Sequence, residues 1–214
     1  MADMHRRGPE PAAGLPRIEH KPGMADEMLR ELAPLLAEDG IDLSDDEPPD
    51  LETLQAALNR AVERRNLELF SPVGATRQIA VETLHRVIDA ILAGDSHTAG
   101  KVLNQVQPES PDNTVATVSS CIGIALGLLD DALTRADAPT VALPAGHWNG
   151  ERAATDILAL ARKGKAFRSL DKLLIRQGGP QVLNGSVLAL AATVSAIAQT
   201  TNTPTANAVQ TLIR

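Results

Sequence analysis

The chain has 214 residues, with 20 Lys/Arg against 27 Asp/Glu, one cysteine, two Phe, one Trp and no Tyr. A single cysteine excludes an intramolecular disulfide and points to a reducing, cytoplasmic setting. The scarcity of aromatics argues against base-stacking sheets of the RNA-recognition or OB-fold kind. Ala, Leu, Val and Ile must then build the core, a composition suited to closely packed helices.

The net charge of −7 conceals an asymmetry. Residues 1–140 carry 12 Lys/Arg and 24 Asp/Glu, whereas residues 141–214 carry 8 and 3. An acidic body therefore ends in a basic third, which is a statement about partners.

In chain order, residues 1–23 hold four Pro and three Gly with no apolar period and no hydrophobic run of the secretory kind, and read as a disordered tail. A helix is predicted over 24–38, with Leu29, Leu32, Leu35 and Leu36 on one face and Gly40 in the terminating position; Pro34 lies inside it. Residues 38–50 hold seven acids in thirteen positions and read as an acidic linker, so that 24–50 form a helix plus linker. A helical core region is predicted over 51–135. Asp50 caps its first helix, whose apolar stripe is Leu51, Leu54, Leu58 and Val62. Ser71-Pro72 reads as the entry to a helix running to about Ala93, with Ala80, Leu84, Val87, Ile88, Ile91 and Leu92 on its buried side. A short helix over 99–106 and a Pro-bracketed turn lead to the most apolar stretch, Val115–Leu129, inside a central helix over 114–135 capped by Asn113. That run falls short of the ~20 residues a bilayer span needs, so no membrane insertion is expected.

Residues 136–150 form a Pro/Gly linker holding the only Trp. A basic helical subdomain follows over 151–214, with helices at 151–163, 167–177 and 186–200, a Gly178-Gly179-Pro180 turn, and a last helix after Pro204. Period-2 alternation is short, with 67–70 and 141–143 the only strand-like pieces. The expected fold is an all-α bundle of seven to nine helices. Residues 79–129 and 149–200 share a layout of long helix, Gly, short helix, turn and buried helix, the pattern that a duplicated three-helix unit would leave.

The leading site is the run of Arg162, Lys163, Lys165, Arg168, Lys172 and Arg176. Arg168, Lys172 and Arg176 are spaced i, i+4, i+8, so one continuous helix lines them up to meet phosphates or an acidic protein surface. A solvated helix face has the same spacing. The acidic 38–50 segment is a potential internal competitor for that row. The second site is a helix-turn-helix-like segment, 194–213, whose second helix offers Thr205, Asn207 and Gln210 as base contacts. Thr203 stands where that motif usually buries an apolar residue, and no cation precedes Arg214.

Glu82, His85 and Asp89 share a helix face, but the central helix offers no partner carboxylates, so no metal and no cofactor are expected. Cys121 lies in the most apolar helix, where a thiol serves as a small hydrophobe. His147 has no nucleophile motif beside it, and glycine-rich phosphate loops are absent. The composite expectation is a non-enzymatic cytoplasmic adaptor or regulator with an acidic protein as partner, a DNA-binding regulator as the alternative, and self-association compatible with either.

Overall fold

The structure, a computed structural model, describes residues 24–42, 50–106 and 117–213. They form helices α1 (Met24–Glu38), α2 (Leu51–Phe70), α3 (Gly74–Leu92), α4 (Ser96–Asn104), α5 (Val118–Leu133), α6 (Glu151–Ala161), α7 (Leu170–Gln177), α8 (Gly179–Thr201) and α9 (Thr205–Leu212), with a 3-10 turn at Phe167–Ser169. The fold is all-α, and no strand occurs among the described residues. Leu67–Phe70 is the last turn of α2, and 141–143 is irregular. The tail 1–23, most of the acidic linker and Asn113 lie outside the described residues, and the cap of the central helix is Thr117, whose Oγ1 accepts from Ser120 N at 3.1 Å, so that helix starts at Val118 and not at 114.

The chain divides into two compact units, residues 1–64 and 65–214. In the first, Leu32, Leu36 and Ile41 pack on Ala57 and Ala61. The expected stripe meets this core only in its middle: Leu54 and Leu58 pack against it half-buried, and its two ends turn away. Leu51 is 79% exposed and Val62 39%, while Ala57 and Ala61 are fully buried. Two arginines explain the rotation. Arg60 Nε and Arg64 Nη1 donate to the two oxygens of Asp39 at 3.0 and 2.9 Å, and Arg64 Nη2 reaches the Leu35 carbonyl at 2.6 Å. This fork turns the alanine face toward α1, where small side chains allow close approach. Asp50 caps α2 as expected, accepting from Thr53 N at 2.9 Å.

The second unit is organised around α8, which packs against α3, α5, α6, α7 and α9. Every residue from Gly185 to Val194 is buried. α8 is the one described helix long and apolar enough to cross a membrane, and 78% of its apolar window is buried in the fold. Its two fully buried hydroxyls are satisfied within the helix: Ser186 Oγ donates to the Leu183 carbonyl at 2.9 Å and Thr193 Oγ1 to the Ala189 carbonyl at 2.8 Å. α8 begins earlier than the glycine-proline turn suggests. Gly178, with φ +80°, forms the corner, and Pro180 sits in the first helical turn, where its missing N–H costs nothing.

Close approach is the packing rule of this unit. A Cβ on Gly123 of α5 would overlap the Phe70 carbonyl, and one on Gly185 of α8 would run into Ala153 of α6. Leu126, Leu129, Ile157, Leu188 and Leu190 fill the space that remains. Helices on both sides of the 136–150 loop share this one core. The stretches 79–129 and 149–200 differ in their short helices: α4 packs back on α3, whereas α7 packs on α8. Their matching ends at Gly94 and Gly164 are a general device of this chain. The same backbone hydrogen bond, from the residue after the glycine to the carbonyl five positions back, closes α1 at Ile41, α3 at Asp95 and α6 at Lys165.

Candidate functional site: a basic segment held by two aspartates

α6 ends at Ala161, and Gly164, with φ +62°, reverses the chain. Asp130, in the last turn of α5, then takes hold of the segment. Its two oxygens accept the consecutive N–H groups of Ala166 and Phe167 at 2.9 and 3.0 Å. A carboxylate in front of the first amides of a helical turn satisfies donors that no backbone carbonyl reaches. Ala166, Leu170 and Leu173 are buried below. All six cations, Arg162, Lys163, Lys165, Arg168, Lys172 and Arg176, are consequently left on the exposed side.

The straight row expected of Arg168, Lys172 and Arg176 is broken. Phe167–Ser169 is a 3-10 turn, and Ser169 departs from helical geometry at φ −100°, ψ 9° before α7 begins. The cause is Asp130, which fixes the start of the turn independently of α7. Arg176 is also engaged: it pairs with Asp156 of α6, and Gln177 Nε2 donates to the same carboxylate at 2.7 Å. Among the described residues, the other five cations form no ion pair. Beside Lys172 and Arg176 stands Ile175, 87% exposed, the most exposed large apolar side chain of the described residues.

Asp130, Asp156 and Ile175 were not singled out by the sequence. Asp130 reads there only as the acid that ends an apolar run, and Asp156 lies 20 residues from its partner. Ile175 carried a usable signal. Leu170, Leu173 and Leu174 already supply the inward face of an eight-residue helix, so a fourth aliphatic points elsewhere.

The C-terminal segment does form two helices about a tight turn. Asn202 adopts φ +52°, Thr203 N donates to the Ala198 carbonyl at 3.0 Å, and α9 starts after Pro204. Ala208 and Val209 are buried, while Thr205, Asn207 and Gln210 are exposed, as is Thr203. α9 bears no charged residue. A cleft of about 260 Å³ lies between α9, α8 and the end of α5, with Arg135 and Asp137 at its edge.

Other chemistry-bearing residues serve structure. His85 Nε2 lies 3.0 Å from the Ile213 carbonyl, tying the C-terminal segment to α3. Among the described residues, no three His, Cys, Asp or Glu side chains gather as metal ligands. Burial pushes the Cys121 thiol up to about 12, so it stays protonated at neutral pH. No family model, curated protein or solved structure matches the chain.

Proposed function

We propose that the protein is a non-enzymatic adaptor or regulator that holds an acidic protein surface against residues 162–176. One observation carries this reading: the cationic segment contains an exposed apolar side chain, Ile175, between Lys172 and Arg176. An apolar contact surrounded by charge is the anatomy of a protein–protein interface. A phosphate backbone needs cations alone. The clamp at Asp130 supports the same reading, because a segment ordered before binding loses less entropy on docking.

The second reading is a DNA-binding regulator that uses 194–213, with Thr205, Asn207 and Gln210 at base edges and the basic segment on phosphates. The exposed outer side of α9 favours it, and the absence of charge on α9 weighs against it.

The deciding experiment is a pull-down from lysate with and without nuclease, repeated with R168Q/K172Q/R176Q. Protein capture that resists nuclease and is lost in the variant is the expected result. Nuclease-sensitive capture, with a log–log salt slope of about −3 to −5, transfers the assignment to nucleic acid.

A further inference from the structure

A second cleft, of about 200 Å³, opens where the 147–149 loop meets α3, α4 and α8. Its floor is apolar and buried, formed by Ile91, Ala99, Val187 and Leu188. The chain's only tryptophan, Trp148, forms a wall, half-buried and fixed at two points. Its backbone N–H donates to Glu151 Oε1 at 2.8 Å and its Nε1 to the Ala145 carbonyl at 3.3 Å. The loop is seated just as firmly. Gly150, with φ +85°, lies so close to α8 that a Cβ there would stand 2.6 Å from the Gly185 nitrogen.

The polar side chains around this cleft are Ser96, His147, Asn149 and Asn184, and no Asp, Glu, Lys or Arg lines it. Asn184 Nδ2 donates to the Pro180 carbonyl at 2.8 Å, which fixes the amide and leaves Oδ1 available as an acceptor.

Gly100 is the telling residue. A glycine inside a helix lowers stability relative to alanine, and persists where a positive φ or a tight contact requires it. Gly100 has neither: its φ is not positive, and an added Cβ would meet nothing within 4 Å. Gly100 lines the cleft beside Trp148, and the space a side chain would take there is empty. Gly127 and Gly179 have similar open space, but neither lines this cleft.

We propose that this cleft binds a small, uncharged, planar heterocycle, a purine base or its nucleoside. The volume is below the range for drug-sized ligands. A ring stacks on an indole, and an Asn side chain presents the adjacent donor and acceptor that match the N6/N7 edge of adenine. With no Lys or Arg in the lining, phosphate-bearing forms are disfavoured.

Trp148 makes the test direct, since intrinsic tryptophan emission comes from this site alone. The full chain is titrated with adenine, adenosine, AMP and glucose, followed by fluorescence and by calorimetry. The expected result is saturable binding of adenine or adenosine with Kd of roughly 1 mM or tighter, and at least tenfold weaker binding of AMP. Gly100→Leu fills the cleft from a position with room for a side chain, so binding falls at least tenfold while circular dichroism and thermal midpoint hold. Asn184→Ala provides the same reading through the polar edge should Gly100→Leu misfold. Absence of saturable binding by both methods, binding of glucose alone, or unchanged affinity in a folded Gly100→Leu would overturn the proposal.

Discussion

α7 and α9 are both eight residues long, and both lean on α8, yet their outer faces have opposite characters. α7 buries Leu170 and Leu173 and turns Lys172, Ile175 and Arg176 outward, continuing a cationic segment that starts at Arg162. α9 buries Ala208 and Val209 and turns Thr205, Asn207 and Gln210 outward, with no charge at all. Shared length and support produce different surfaces, so what each face does rests on a few outward residues. The anchoring differs as well. The segment leading into α7 is held by Asp130 of α5 and the end of α7 by Asp156 of α6, while α9 follows a three-residue turn and is tied down through the Ile213 carbonyl at His85.

The strongest test of the contrast removes what the two helices share. Gly185→Leu would drive α8 away from Ala153 of α6, at a cost of about 3 kcal/mol or more. Thermal unfolding should show the loss, and both faces should fail together. An unchanged midpoint would mean that α6 and α8 tolerate separation. Next in size, R168Q/K172Q/R176Q should weaken partner binding about a hundredfold, roughly 2.7 kcal/mol by titration calorimetry. Replacing Thr205, Asn207 and Gln210 together by Ala should change it less than twofold. The reverse pattern would assign binding to α9.

Asp130→Ala sharpens the difference in anchoring. Losing a carboxylate that accepts two N–H groups should cost about 1–3 kcal/mol in denaturant unfolding. It should also speed hydrogen exchange at the Ala166 and Phe167 amides while exchange at α9 stays unchanged.

The smallest effect concerns the acidic end of the chain. Hydrogen bonds from Arg64 and Arg60 hold the Asp39 carboxyl below its ordinary range. The folded state therefore favours the charged form. That contribution is complete above the unfolded value, near pH 4, and fades as pH falls through the lowered folded value. Protection of the Ile41 amide, corrected for its intrinsic exchange rate, should fall below about pH 4, and Asp39→Asn should remove that dependence.

Much of the helix plan follows from local rules. α1 ends where Gly40 allows the left-handed conformation, and α3 and α6 end likewise at Gly94 and Gly164. α8 and its neighbour α5 form the buried centre that their apolar runs suggest. What escaped local reading came from long-range partners. The centre of this core went to Ala57 and Ala61, with Leu54 and Leu58 half-buried beside them and Leu51 and Val62 exposed, because Arg60 and Arg64 meet Asp39 just past the end of α1. The i, i+4, i+8 row broke because Asp130, remote in sequence, fixes the turn at Phe167. The basic composition of 162–176 was visible at once. Its shape was not, because periodicity assumes one uninterrupted helix and carries no information about distant carboxylates.

The glycine and alanine contacts between α5, α6 and α8 also bear on how this molecule can change. Where a Cβ on Gly123 or Gly185 has no room, the core has a ceiling on volume and few neutral substitutions. The outward positions of α7 and α9 carry no such ceiling. New binding preferences can therefore arise by exchanging surface residues on these two short helices, with the interior acting as a fixed chassis for both.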